Sequence, residues 1–341
     1  MSRFRLTGVS GLGPLAGVCD ASGDGRFNRV LRKAGVPASL VAAPHAMIPL
    51  QAMYALFEEG ARATGDELLG LRVGAAMHPA DFGIWVRYAV AARTIREMVG
   101  RLVRTLDYHQ PGAALSMVER DGTAVLRYHA AEPRGAGRTF HADHVLDPML
   151  TALRVFAGPG WKPRAFHLPY TRPVHWRRIE EALGAPVVFG SSGAGLEFTS
   201  SVLDIPAAQP RPRVTMADVR RAMAPRRPGT TAGAVASLVT FSPEGDGASL
   251  STIAGLLGVS ARALQIELQR EGTSFREVVA RMRLAEARCL LRETAMSVSD
   301  IAWTLGYSEL PHFTRAFTKG AGVAPSVFRA LGRADAAARA E

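Results

Sequence analysis

The amino-acid sequence predicts a mixed α+β N-terminal domain followed by an all-α C-terminal domain, in which two helix-turn-helix motifs are joined by a long helix. Three observations predict it. An octet occurs twice near the C-terminus, as Ile253-Ala-Gly-Leu-Leu-Gly-Val-Ser260 and as Ile301-Ala-Trp-Thr-Leu-Gly-Tyr-Ser308. Residues 26–205 interleave helical apolar spacing with short alternating runs. Between the two regions, residues 206–229 hold five prolines and six arginines and offer little apolar surface to bury.

In chain order, residues 1–25 are rich in Gly and Ser and read as a disordered leader. Gly8, Gly11, Gly13 and Gly17 interrupt residues 6–18 too often for a secretory signal helix. Val30, Leu31 and Ala34 then fall at helical spacing before Gly35-Val36-Pro37 ends the segment. Residues 48–64, 67–77, 94–106 and 141–156 repeat that amphipathic form. The runs 113–118 and 124–129 flank Asp121-Gly122, the pattern of an antiparallel hairpin. Residues 165–168, 187–189 and 196–198 read as short strands. The expected organisation is a leader over 1–25, a first domain over 26–205, an exposed linker over 206–229 with room for a helical turn or two, a second domain over 230–332 and a frayed tail over 333–341.

Composition sets limits on function. The 341 residues are 48% hydrophobic and 21% charged, enough apolar material for two cores. A formal net charge of +11 suits a polyanionic partner. The excess is spread, however: +5 over residues 1–205, +3 over 206–247 and +3 over 248–341, so charge does not single out the repeated region. Cys19 and Cys289 are the only cysteines, which supports neither a disulfide framework nor a thiolate metal site and fits a reducing cytoplasm. No apolar run approaches the roughly 20 residues that span a bilayer, so no membrane partner is expected.

Each octet has the grammar of a helix-turn-helix. In the first, Ile253, Ala254 and Leu257 form an inward stripe, Gly258 reverses the chain, and Ser260 is placed to cap a helix that buries Leu264 and Leu268. In the second, Val298, Ile301, Ala302 and Leu305 form the stripe, Gly306 turns, and Ser308 is placed to cap a helix that buries Phe313 and Phe317. The octets are offset by 48 residues and the buried pairs by 49, so the second turn is one residue longer. Residues 274–292 between them form an unbroken helical pattern, with Ala285 and Cys289 among the residues directed to the cores. The rod is on the order of 25–30 Å long, close to the roughly 34 Å advance of one turn of B-DNA. Two recognition helices on such a rod reach successive major grooves, with Arg276, Arg281, Arg283, Arg288 and Arg292 directed at phosphates.

Residues 250–329 resemble the DNA-binding domain of AraC/XylS-family transcription regulators. The resemblance rests on Asp300-Ile-Ala-Trp-Thr-Leu-Gly-Tyr-Ser308, Phe313-Thr-Arg-Ala-Phe317, Gly322-Val-Ala-Pro325 and Phe328-Arg329. Thr64-Gly-Asp, Leu69-Gly-Leu-Arg-Val-Gly74, Trp161-Lys-Pro-Arg and Gly184-Ala-Pro-Val-Val-Phe-Gly190 likewise resemble the arabinose-binding-like effector domain of one branch of that family. The resemblance implies base-reading positions at Arg262, Gln265 and Ile266 in the first recognition helix, and at Leu310, Pro311, His312, Thr314 and Arg315 in the second. An Arg takes a guanine edge bidentately and a Gln an adenine. Ile266 stands where many relatives place a basic residue, and Pro311 lacks a donor but is tolerated in a first helical turn.

For a small-molecule effector, Trp85, Arg87, Tyr88, His109 and Arg127 combine aromatic and polar types in the middle of the first domain, as a pocket requires. His141-Ala-Asp-His144 lacks a third ligand at diagnostic spacing, so no metal is expected. Ser191-Ser-Gly-Ala-Gly195 lacks the Lys-Ser/Thr ending of a phosphate loop and reads as a turn. With no Gly-x-Ser-x-Gly elbow and no helical His-Glu-x-x-His, neither an enzyme nor a cofactor is indicated. The expectation is a cytoplasmic, sequence-specific DNA-binding transcription regulator controlled by a small-molecule effector. Its expected partners are a double-stranded DNA operator, RNA polymerase and a second copy of the chain. The alternative is a ligand-independent regulator whose first domain serves dimerisation or partner binding.

Overall fold

A two-residue turn closes the central hairpin. Asp121 and Gly122 both have positive φ, 50° and 73°, the backbone of a type I′ turn whose twist matches that of the flanking strands. Arg120 pairs with Thr123 across it. The computed structural model describes residues 4–21, 23, 25–42, 46–78, 82–130, 136–208, 214–223, 229–239 and 249–337. The elements run β1 (Leu6–Gly8), α1 (Leu15–Asp20), α2 (Arg26–Ala34), α3 (Ala38–Ala42), β2 (Met47–Pro49), α4 (Leu50–Thr64), α5 (Leu69–Ala75), α6 (Ile84–Val90), α7 (Ile95–His109), β3 (Ala114–Arg120), β4 (Thr123–His129), α8 (Ala136–His144), α9 (Leu146–Ala157), β5 (Ala165–Leu168), α10 (Trp176–Leu183), β6 (Val187–Phe189), β7 (Ala194–Thr199), α11 (Met216–Met223), α12 (Thr231–Leu238), α13 (Leu250–Leu256), α14 (Ala261–Arg270), α15 (Phe275–Glu293), α16 (Val298–Thr304), α17 (Leu310–Ala321) and α18 (Pro325–Ala337). Two compact units result, one of Arg5–Val36 with Pro44–Arg227, the other of Met1–Phe4, Pro37–Ala43 and Pro228–Glu341. The first is mixed α+β and the second helical, the fold class expected.

In the first unit a five-stranded sheet has the order β3-β4-β7-β5-β6, antiparallel except for the parallel β5–β6 pair. Alternation along β4 buries Ala124, Leu126 and Tyr128. That face joins Leu196, Phe198, Phe166 and Leu168 in one core with Trp85, Met98, Leu102 and Leu153 from α6, α7 and α9. Thr94 caps α7 by accepting from the Glu97 N–H. On β5, His167 sits with Nδ1 3.0 Å from Ser191 Oγ and Nε2 3.1 Å from Glu197 Oε2, tying β5 to β7.

Glycines bring α8 against α4 and α5 backbone to backbone. A Cβ on Gly70 of α5 would fall 2.2 Å from the Phe140 carbonyl oxygen, and one on Gly74 would fall 2.6 Å from that of His144. On α8 itself, a Cβ on Gly137 would fall 2.1 Å from the Tyr54 carbonyl oxygen of α4. These helices can meet in this way only without side chains at the contact.

Four expectations are corrected here. The disordered leader is instead packed over residues 6–20. β1 pairs with β2, and Leu6, Leu15 and Cys19 are fully buried. Gly8 and Gly11 signal closeness rather than looseness, since a Cβ on Gly8 would lie 3.1 Å from His109 Nδ1 and one on Gly11 3.0 Å from Met53 Cε. The exposed linker contains α11, which buries Val219 and Met223 at helical spacing in the first unit's core; residues 209–213 and 224–228 of it lie outside the described residues. The single helix expected over 141–156 is two, α8 and α9, parted at Val145. α18 continues through Ala337 into the expected tail, whose last residues, 338–341, lie outside the described residues.

In the second unit, hydroxyls start most helices. Thr230, Ser249, Ser260 and Ser297 each accept from a backbone N–H three residues on, and Ser274 forms a full capping box with Glu277. The 19 residues of α15 span about 28 Å, and this rod packs against α12, α16, α17 and α18. Ile301, Leu305, Phe313 and Phe317 close one core on Ala287 and Leu291. Cys289 and Ala285 point to solvent rather than inward.

Gly70→Ala or Gly74→Ala should destabilise the first unit by about 1–3 kcal/mol, because a backbone neighbour must move. Gly100→Ala on α7 meets only the flexible Arg104 end at 3.4 Å and should stabilise by about 0.4–1 kcal/mol. Urea unfolding of the full chain followed by tryptophan fluorescence checks both signs.

Candidate nucleic-acid interface and effector cavity

Helices α14 and α17 each bury one face and present the other. On α14, Leu264 and Leu268 are fully buried while Arg262, Gln265 and Ile266 are exposed. On α17, Phe313 and Phe317 are buried, Leu310, Pro311, His312 and Arg315 are exposed, and Thr314 is half-buried. Ser260 caps α14 by accepting from the Ala263 N–H at 3.1 Å. The capping expected of Ser308 does not occur: Glu309 is the N-cap of α17, without a side-chain cap hydrogen bond. The extra residue in the second turn carries the helix start one position beyond the serine.

Among the rod's arginines, Arg276, Arg281 and Arg292 are exposed. Three of the five make contacts inside the unit. Arg283 lies over the Tyr307 ring at 5.0 Å and Arg292 over Phe328 at 4.8 Å, while Arg288 Nη2 donates to the Gly320 carbonyl at 3.1 Å. The signature Arg329 also works internally, donating to the carbonyls of Met296 and Leu291.

In the first unit, α6, α7, β4, α8 and α9 converge on a cavity of about 90 Å³. Its wall is largely apolar, from Met53, Val86, Leu102, Leu126 and Met149, with Thr7, Trp85, His109, Gln110, Tyr128, His141 and His144 as its polar members. Trp85 stacks on His109 at 5.1 Å and 17°. His141 and His144 meet edge to face at 4.9 Å, and His144 Nδ1 donates to the His141 carbonyl at 3.0 Å. Burial lowers the pKa of His109 to about 4, aided by His144. Burial also lowers that of His144 to about 4, against a smaller opposite effect from the His141 and Gly11 carbonyls. His141 is held well below its ordinary range by burial and then by its two histidine neighbours. These imidazoles are neutral at physiological pH. Asp143, behind them on α8, has its pKa pushed up to about 7 by burial, while the Tyr170 hydroxyl donating at 2.5 Å favours the carboxylate. Among the described residues, no cluster of His, Cys, Asp and Glu can hold a metal ion.

Comparison with known proteins fits this division. Residues 25–207 match the family model described as the arabinose-binding domain of AraC transcription regulator, N-term. Residues 253–331, from α13 into α18, match a helix-turn-helix domain. The chain belongs to the AraC family of transcription regulators. It is 27% identical over 281 residues to the ornithine utilization regulator of Pseudomonas aeruginosa, covering 78% of this chain and 79% of the relative. It is 26% identical over 313 residues to the HTH-type transcriptional regulator VirS of Mycobacterium tuberculosis, covering 89% and 90%. The transcriptional regulator CdpR from P. aeruginosa, a solved structure, aligns with TM-score 0.42 and 21% identity over 89% of this chain and 96% of that one.

In this AraC-family chain the residues expected at an effector pocket are partly dispersed. Trp85 and His109 line the cavity, whereas Arg87, Tyr88 and Arg127 do not. Arg87 lies on the exposed face of α6. Tyr88 stacks beneath Arg101 at 4.7 Å, and Arg127 alternates to the side of β4 opposite Leu126 and Tyr128. Sequence reasoning missed Gln110, Tyr128, His141 and His144 as lining residues. The His-x-x-His spacing was a signal, but of one buried helix face rather than of a metal. No helix among the described residues is long and apolar enough to cross a membrane.

The neutral histidines predict acid lability. An unfolded His protonates near 6.5 and these near 4 or lower, so the unfolded chain binds more protons in that window and stability falls as pH falls through it. Asp143 acts oppositely, because its folded value near 7 exceeds its unfolded 3.8; Asp147, raised by burial, joins it. Three imidazoles against two carboxyls leave a net loss of stability from pH 7 to 4.5. Thermal midpoints should fall across that range, and His109→Leu should make the slope shallower.

Proposed function

We propose that this chain reads operator DNA with α14 and α17, and that a small molecule held in the N-terminal cavity sets how well it does so. One observation carries the reading of DNA: both helices expose a mixed set of base-reading side chains opposite a fully buried face. Arg262 and Arg315 suit guanine edges and Gln265 suits adenine, while Ile266 and Leu310, each 40% exposed, suit the methyl group of thymine. Arg276 and Arg281 supply phosphate contacts that position without specifying. Such a function belongs in the cytoplasm and needs no catalysis.

Control by an effector is supported by the cavity, which has the mostly apolar wall and few convergent polar groups of a small-molecule site. An effector acts only if the DNA-competent and incompetent states bind it with different affinity. A regulator of ornithine utilization is among the relatives, but a charged amino acid would find no counter-ion among the residues lining this cavity.

Arg315→Ala should weaken operator binding by about 1–3 kcal/mol and relax preference at one base position. The measurement is fluorescence anisotropy of the full chain on a duplex selected from a random library, with circular dichroism to check the fold. Unchanged affinity and preference would remove α17 from the reading assigned to it.

A further inference from the structure

We infer that the cavity of the N-terminal unit is built for an uncharged, mainly apolar molecule of about one ring in size that carries a hydrogen-bond acceptor, such as a carbonyl oxygen, for Trp85 and Gln110. The inference rests on the effector reading proposed above and narrows it to a ligand class. Three observations carry it: the size of the cavity, the chemistry of its wall and buried donors in that wall without a well-formed hydrogen bond.

The volume, about 90 Å³, is somewhat below the roughly 150 Å³ of a cavity known to take benzene. A single ring or short chain therefore fits with modest side-chain adjustment. Among the described residues, no Asp, Glu, Lys or Arg lines the cavity. The three histidines in the wall do not supply positive charge either, because burial keeps them neutral. A carboxylate or ammonium entering such a site loses its hydration and gains no counter-ion.

The wall is not simply greasy. Trp85, 5% exposed, and Gln110, 3% exposed, both line the cavity. The Trp85 Nε1–H has no acceptor among the described residues, and the Gln110 Nε2 and the Tyr128 hydroxyl, which interact with each other, make no well-formed hydrogen bond. An indole N–H can only donate, and a buried donor left unmade is unfavourable. A ligand oxygen satisfies it; a hydrocarbon of the same shape does not. Shape is thus met by the apolar wall, and the choice among similar shapes falls to these donors.

Four matched probes test this with the full-length chain: cyclohexanone, methylcyclohexane, cyclohexylammonium and cyclohexanecarboxylate at pH 7.5. Binding is followed by the ¹⁵N–¹H indole signals of the four tryptophans, with that of Trp85 assigned from Trp85→Phe. Cyclohexanone should move the Trp85 signal downfield in a saturable way, at the millimolar or submillimolar concentrations a ligand of its size allows. Each charged probe should bind at least about tenfold more weakly. Gln110→Met should cost cyclohexanone about two- to tenfold in affinity while leaving methylcyclohexane nearly unchanged. Ala152→Phe, which fills the cavity wall, should abolish binding of all probes while the other three indole signals report an intact fold.

Preferential binding of either charged probe, lost on Ala152→Phe, would overturn the ligand class and leave the cavity as an effector site. Failure of cyclohexanone to bind, or binding indifferent to both Gln110→Met and Ala152→Phe, would also overturn it. Saturable binding of cyclohexanone with no change in anisotropy on the selected operator would instead uphold the ligand class and count against effector control.

Discussion

The N-terminal unit depends on bare backbone meeting bare backbone. Gly70 and Gly74 lie one helical turn apart on the same side of α5, where each faces a carbonyl of α8, while Gly137 of α8 faces a carbonyl of α4. Helices that meet through side chains keep ordinary axial distances; those that meet through glycine come closer. The consequence is chemical as well as steric. His141, Asp143 and His144 all stand on the gripped helix, and the grip carries them into the interior. Their departure from ordinary titration is a product of that packing, as is the uncharged wall of the cavity.

The parts legible in the sequence were those governed by local rules. Asp121-Gly122 announced its hairpin because positive φ at two successive positions is a local requirement. The repeated octets announced their turns for the same reason, through Gly258 and Gly306. Illegible parts were those in which distant segments converge. The glycines of residues 8–17 resemble a loose segment until His109 and Met53 are seen against them. Val219 and Met223, among arginines and prolines, look like a linker until a core is present to receive them. Within the cavity, Trp85 and His109 were legible by type, but the turn of α6 and the alternation of β4 send Arg87 and Arg127 elsewhere. Gln110 has no local signature at all, because its place in the wall beside Tyr128 is set by segments distant in sequence.

The two helix-turn-helix motifs are similar in plan and different in detail. α14 begins on a serine that satisfies a backbone N–H, whereas α17 begins on a glutamate that does not, followed by Leu310 and Pro311. The first turn of α17 therefore offers apolar surface, with no N–H on Pro311 and those of His312 and Phe313 donating to the Glu309 carbonyl, while α14 has a hydroxyl on its first turn. One extra residue in a turn accounts for the contrast. The two motifs share the buried stripe, which geometry demands, and differ at the ends of their helices.

The arginines of α15 have a consequence for the ionic atmosphere of DNA. A basic side chain releases a counterion to the degree that it neutralises a phosphate, and the number so engaged sets how steeply binding falls with salt. Arg283 and Arg292 lie on aromatic rings and Arg288 on a carbonyl. Arg283 and Arg288 are thereby held against the unit, whereas Arg292 stays exposed. A count of basic residues on α15 thus overstates the guanidinium groups free of contacts within the chain.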